Sequence, residues 1–132
     1  MSVENVRKWF MIHTYSGYEK KVKTDLEQKM ETLGFKEVVT NILVPEEELT
    51  EIVRGKPKKV YRKLFPAYVM LEMEATREEN EQGISYKVDP RVWYEVRNTN
   101  GVTGFVGVGS DPIPMEEEEV KNIFNIIGVK TP

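Results

Sequence analysis

The apolar positions of this chain follow two different periods. Between Arg7 and Tyr15 they alternate, with Trp9, Met11, His13 and Tyr15 on one side of an extended chain and Phe10, Ile12 and Thr14 on the other, which predicts an interior strand. Residues 1–6 read as a loose leader before it. The period then lengthens. Tyr18, Val22, Leu26, Met30 and Leu33 recur at spacings of four and three, which predicts a helix with one buried stripe, stopped at Gly34 in the left-handed conformation. Ser16-Gly17-Tyr18-Glu19 has the spacing of a capping box, in which the serine oxygen accepts from a first-turn N–H and the glutamate reaches back to the cap.

Alternation returns at Phe35 to Val44, ended by Pro45, and Glu46-Glu47-Glu48 opens a hairpin arm through Leu49 to Val53. A second two-faced strand follows at Ala67 to Met73. Phe65, Ala67, Val69, Leu71 and Met73 lie on one side and Tyr68 and Met70 on the other, so this strand is central. Pro66 has no N–H to give a ladder and marks the strand's entrance, which leaves Phe65 just outside regular pairing. Two readings of Phe65 stay open: a half-exposed aromatic, or a ring that caps the core.

Residues 75–89 are mostly charged, and only Ile84 to Val88 has strand character, so the segment reads as a flexible excursion. Pro90 opens a short helix to Arg97 with Val92, Trp93 and Val96 inward, ended by Asn98-Thr99-Asn100-Gly101. Val102 to Val108 gives a short glycine-punctuated strand. The last helix, Met115 to Ile127, buries Val120, Ile123, Phe124 and Ile127; its leading glutamates sit where the helix dipole favours negative charge, and Gly128 closes it. The order predicts an α+β fold, a mainly antiparallel four-stranded sheet sandwiched between about three helices, in one domain over residues 1–132.

Charge changes the picture in one place. The 132 residues carry 19 basic and 22 acidic side chains, a net −3 that argues against a general nucleic-acid coat protein. Yet Arg54, Lys56, Lys58, Lys59, Arg62 and Lys63 gather between the hairpin arm and the proline strand, whereas 72–81 and 116–119 are acidic. The surface is therefore dipolar. The absence of cysteine removes disulfide and thiolate metal chemistry, and the lack of a long apolar run or signal-peptide pattern makes a cytoplasmic protein without membrane contact the expectation.

Catalytic chemistry finds little support. The sole histidine, His13, lies in a strand among aromatics; Gly101, Gly104, Gly107 and Gly109 lack the spacing of a dinucleotide loop; and Glu78 and Glu79 sit where no burial would tune them. No cofactor, metal site or enzyme activity is expected. Binding is better supported, because Trp9, Phe10, Tyr15, Tyr18, Phe65 and Tyr68 give more aromatic surface than so small a sheet buries. Partly exposed aromatics near basic residues dock a partner helix or stack on bases, and residue types alone leave both open.

Taken together, Lys8-Trp9-Phe10, Tyr15-Ser16-Gly17-Tyr18-Glu19, Val44-Pro45, Phe65-Pro66-Ala67-Tyr68-Val69, Val96-Arg97-Asn98-Thr99 and Gly101-Val102-Thr103-Gly104-Phe105-Val106-Gly107 resemble, in order and spacing over nearly the whole chain, the amino-terminal domain of the bacterial NusG transcription elongation factors. The resemblance implies a non-catalytic factor whose hydrophobic depression takes the tip of the clamp coiled coil in the largest subunit of RNA polymerase. With no hydrophobic heptad or long exposed apolar strand to argue for self-association, a monomer is the expectation. The resemblance places Phe65 and Pro66 in that depression, with Trp9, Tyr15 and Tyr68 lining or supporting it. It also implies a domain that bridges the cleft and modulates elongation, pausing, antitermination and termination.

Asn98 and Thr99 match a form of the family in which these positions lie near the non-template DNA strand, with Arg97 beside them; the competing reading is that they only terminate a helix. Residues 77–88 look like an insertion relative to the family. The family's carboxy-terminal KOW barrel is not in this sequence, and residues 129–132 read as the start of its linker; contacts with Rho and a ribosomal protein are expected only through that barrel. A stand-alone module for RNA or single-stranded nucleic acid is the alternative function.

Overall fold

The computed structural model describes residues 2–108 and 111–128, which form, in order, β1 (Ser2–Thr14), α1 (Glu19–Leu33), β2 (Val39–Leu43), β3 (Glu46–Val53), β4 (Lys56–Lys63), β5 (Tyr68–Asn80), β6 (Gly83–Lys87), α2 (Pro90–Arg97), β7 (Val102–Phe105), β8 (Gly107–Val108), β9 (Asp111–Pro112) and α3 (Glu117–Ile127). The two strands with apolar residues on both sides, β1 and β5, lie next to each other in the middle of the sheet. They pair antiparallel from Ser2↔Glu79 to His13↔Tyr68. The sheet order is β2-β5-β1-β7, with β6 as a fifth strand on β5, and β3–β4 and β8–β9 make two small separate ribbons. The α+β, antiparallel, three-helix expectation holds, with one strand more than the four expected.

Each sheet face buries a different set of helices. Phe10, Ile12, Val69, Leu71 and Met73 pack with Val22, Leu26 and Met30 of α1 and Val92 and Val96 of α2. On the opposite face Met70 packs with Ile123 and Phe124 of α3, and Trp9, Met11, Leu64, Phe65 and Val120 surround them. This division follows from the alternation along β1 and β5, because a strand sends successive side chains to opposite faces.

Four sequence expectations are corrected. Residues 2–6 are no loose leader: Ser2 to Val6 pair with Ala75 to Glu79. Residues 75–89 are no flexible excursion: β5 continues to Asn80 and turns into β6, pairing from Thr76↔Lys87 to Asn80↔Gly83. Both stretches lie mostly exposed, so they carry no apolar alternation for a pattern to detect. Within Phe35 to Val44 only Val39–Leu43 is strand; Phe35 to Val38 is a turn, with Phe35 N–H donating to Met30 O at 2.8 Å. In α1, Tyr18 and Leu33 at the ends of the stripe are exposed, and only Val22, Leu26 and Met30 are fully covered, since helix ends overhang the sheet. Gly34 does stop α1 at φ 78°. Residues 129–132, read as the start of a linker, lie outside the described residues.

Candidate functional site

The connection between β4 and β5 is a tight turn. Tyr68 N–H donates to Phe65 O at 3.2 Å, Pro66 takes the second position and Ala67 the third, at φ 70°. That geometry suits proline and then a residue with positive φ. Glycine takes positive φ freely, whereas for alanine the left-handed conformation costs about 1–2 kcal/mol. The surroundings hold it there: Ala67 N–H donates to Glu19 Oε2 at 2.9 Å, and Thr14 N–H donates to Ala67 O at 2.8 Å.

Glu19 therefore does not complete a capping box with Ser16. The residue preceding α1 is Tyr18, with no side-chain cap bond, and the Glu19 carboxylate is turned inward, 1% exposed, with Oε1 3.3 Å from Lys63 Nζ. Burial pushes this carboxyl up, but the N–H groups of Ala67 and of Glu19 itself, together with the Lys63 ammonium, outweigh it and hold the group below its ordinary value. It is charged at neutral pH. An internal N–H and an ammonium are stronger attractions than a solvated cap, which is why the familiar spacing misleads here.

The proposed anchor residues fall into three places. Phe65 is half-buried in the α3-side cluster, and Pro66 beside it is exposed. Phe65 thus does both things left open by its sequence: it packs on the core and keeps part of its ring free. Trp9 supports the same cluster from β1, meeting Phe124 edge-on at 5.4 Å between ring centroids. Tyr68 is half-buried with its ring 4.6 Å from that of His13, its partner in register on β1. Tyr15 stands apart at the end of β1, 61% exposed, against Tyr18 at 6.0 Å.

The corner after α2 separates the three residues expected near DNA. Asn98 is exposed, its Nδ2 donating to Tyr94 O at 2.8 Å, and the Arg97 guanidinium lies 4.9 Å above the Trp93 ring. Thr99 is 4% exposed; its hydroxyl donates to Glu95 O at 2.9 Å and accepts from Lys29 Nζ at 3.1 Å. Thr99 therefore cannot present its hydroxyl to a base in this conformation, which corrects the grouping of all three on one surface.

The basic run sits on the β3–β4 ribbon, whose turn is Arg54-Gly55. Half of its charge is matched: Lys59 pairs with Glu48 at 3.3 Å, Arg62 with Glu47 at 2.6 Å and Lys63 with Glu19. Elsewhere, a cleft of about 780 Å³ lies between β6 and the start of α3, lined by Ile84, Tyr86, Ile113 and Met115 with Glu116 and Glu118 at its edge. Among the described residues no group of three or more histidine or acidic side chains could hold a metal ion, and no helix is long and apolar enough to cross a membrane. Sequence reasoning missed the buried role of Glu19 and the pairing of His13 with Tyr68. The second needed the register of the two strands, each read from the sequence only as an interior strand, and that register is set by the fold.

Comparison with known proteins gives one answer. The family model "Transcription termination factor nusG" matches residues 7–124. The chain is 44% identical over 127 residues to a transcription termination/antitermination protein NusG of Halalkalibacterium halodurans, covering 94% of this chain and 64% of the relative. It is 43% identical to one of Staphylococcus epidermidis, covering 94% and 63%. The chain thus spans a little under two thirds of the length of these relatives. A solved structure, "Domain interaction in Thermotoga maritima NusG", superposes with a TM-score of 0.69 at 30% identity over 96% of this chain and 60% of that one. With the family model matching residues 7–124 and a solved NusG structure superposing over 96% of the chain at 30% identity, this chain belongs to the NusG family of transcription termination and antitermination proteins.

Proposed function

We propose that this chain is a non-catalytic docking domain that binds RNA polymerase at the tip of the clamp coiled coil in the largest subunit, bridges the cleft and modulates elongation, pausing, antitermination and termination. The observation that carries this reading is the Phe65–Pro66 turn, an aromatic ring half out of an apolar cluster beside an exposed proline, on a backbone tied from both sides. A rigid, partly exposed aromatic on a firm base is what a helix-to-groove anchor requires. Trp9 backs the cluster, Tyr68 flanks it, and Tyr15 adds exposed aromatic surface. Arg97 and Asn98 face the non-template strand in this reading, and Thr99 shapes their corner through Glu95 and Lys29. The domain acts as a monomer in the cytoplasm.

The ribbon favours this reading over a free-standing single-strand binder. With Lys59, Arg62 and Lys63 matched by glutamates, Arg54, Lys56 and Lys58 are left to draw a phosphate backbone, a weak source of affinity at physiological salt. The test is retention of core RNA polymerase by the wild-type protein and by Phe65→Ala, at low and high salt. Loss of retention in the variant at both salts is expected; equal retention by the two proteins rejects the anchor.

A further inference from the structure

We infer that Glu19 is a positioning residue for the Phe65–Pro66 anchor: its buried carboxylate latches the start of α1 both to the anchor's turn and to the root of the β3–β4 ribbon. The inference rests on the docking reading above and deepens it.

The carboxylate divides its two oxygens between two structures. Oε2 accepts from Ala67 N–H at 2.9 Å, and Oε1 lies 3.3 Å from the ammonium of Lys63, the last residue of β4. On its other side Ala67 is tied to β1 through Thr14 N–H at 2.8 Å. The ribbon root is closed beside this point by Leu64 N–H donating to Pro45 O at 3.0 Å and by Lys20 against Glu46 at 3.1 Å. A swing of the ribbon relative to α1 therefore passes through the Lys63 pair, and a return of Ala67 from φ 70° to ordinary backbone breaks the Glu19 bond. Phe65 and Pro66 immediately precede Ala67. Once it is released they rotate with the peptide, and the ring leaves the pose in which it packs on the α3 side.

Burial makes the latch selective. At 1% exposure the carboxylate is shielded from water, and although the Lys63 side chain is 33% exposed, loss of the carboxylate leaves the Ala67 N–H with no equivalent partner. A glutamate acting on the helix alone has no need of that burial, because first-turn acids work from the surface.

The test uses Glu19→Ala, Glu19→Gln, the double variant Glu19→Ala/Ala67→Gly, and Phe65→Ala, each in the full chain. Two quantities are read: hydrogen exchange of the Ala67 amide in the free protein, and retention on core RNA polymerase. Glu19→Ala is expected to speed Ala67 exchange and weaken retention by about tenfold each, and Glu19→Gln, which keeps an acceptor but no charge, falls between. Ala67→Gly in the Glu19→Ala background restores much of the retention, because glycine takes the left-handed position unaided; retention is compared at a temperature where every variant is fully folded, so that a gain in overall stability does not count as rescue. Should Glu19→Ala fail to fold, Glu19→Gln and its double with Ala67→Gly carry both readouts. Unchanged Ala67 exchange in the Glu19 variants overturns the latch whatever the polymerase does, and absence of rescue overturns the positioning role. Wild-type retention by Phe65→Ala sinks the docking reading alone, with Ala67 exchange still deciding the latch.

Discussion

Trp9 meets Phe124 edge-on, ring planes inclined at 76°, and this contact joins α3 to β1 in the cluster that Phe65 also packs against. Phe124 is 8% exposed and sits against Met70 and Ile123. Phe124→Ala removes a ring from this second core, and a large-to-small change of this kind costs about 3–5 kcal/mol. Urea unfolding followed by tryptophan fluorescence measures it, and Phe124→Leu should recover well over half. A cost for the alanine variant below about 1 kcal/mol, the ordinary size of a point substitution, would mean that α3 is not packed on this face.

Gly101 is the second position where close approach decides. It has φ 96°, its carbonyl accepts from Tyr15 N–H at 3.0 Å, and an added Cβ would lie 3.0 Å from Val22 Cγ2 and 3.1 Å from Tyr18 Cδ1. Gly101→Ala combines a left-handed penalty with overpacking against α1, for a loss of roughly 2–4 kcal/mol. Thermal melting measures the loss. Because the clash reaches Tyr18, the Tyr15–Tyr18 contact should also move, which shows in the ring resonances of both.

Two carboxylates make stability fall in acid. Asp89 caps α2, accepting from Arg91 N–H at 2.9 Å, and its side chain grips the Arg91 guanidinium, also at 2.9 Å. The bond to Arg91 holds the carboxyl below its ordinary value, against the opposing pull of burial. Glu19 is also held low, through Ala67 and Lys63. A carboxyl lower in the folded than in the unfolded state stabilises fully above the unfolded value and loses that contribution as pH falls through the folded one. Asp89→Ala should therefore cost about 1 kcal/mol at neutral pH, the usual worth of such a cap, and the gap from wild type should close as the pH falls below the carboxylate range. A gap that persists in strong acid would assign it to something other than charge.

The β5–β6 wing should be dispensable for folding. The last buried residue along β5 is Ala75, and beyond it the strand pairs only with the exposed ends of β1 and β6. Replacing residues 79–84 by a two-residue turn should change stability within about 0.5 kcal/mol, as for surface changes in general, and leave polymerase retention unaltered. A larger loss would show that the wing's tip, where Ile84 lines the cleft beside the start of α3, braces that segment.

How much of this was legible in the sequence depended on burial. β1 and β5 announced themselves because both their faces are covered, so alternation left apolar residues on each side. The Ser2–Val6 stretch and the wing were missed because most of their residues meet solvent and leave no alternation to read, and their strand state comes from backbone pairing with a few side-chain contacts such as Arg77 to Glu4 at 3.7 Å. The site divided in the same way. Phe65 could be put outside the ladder from Pro66, which has no N–H to give, but not on the right side: alternation grouped it with Val69 and Leu71, whereas the turn through Pro66 and Ala67 carries it to the α3 side with Met70. Glu19 was misread because a Ser-x-x-Glu spacing is identical whether the glutamate turns back to the cap or inward. Only the fold brings Ala67 N–H and Lys63 to its carboxylate, from 48 and 44 residues away.

Asn98 and Thr99, adjacent in sequence, should separate cleanly by experiment. Thr99→Val keeps the shape but removes a buried hydroxyl, so Glu95 O keeps only the Lys29 Nζ donor at 3.1 Å and Lys29 Nζ loses one acceptor, and should cost about 1 kcal/mol of stability. Asn98→Ala gives up one exposed bond to Tyr94 O, which the Asn98 N–H also meets at 3.0 Å, and should cost a few tenths. On transcription complexes the order reverses if the corner reads the non-template strand. Asn98→Ala should alter pausing in a way that depends on the non-template bases, whereas Thr99→Val, at a temperature where it is folded, should not. Melting curves and pausing assays on templates differing only in the non-template strand measure the two effects. A base-dependent pausing change in Thr99→Val equal to that in Asn98→Ala would mean that the corner opens on the polymerase and exposes the threonine after all.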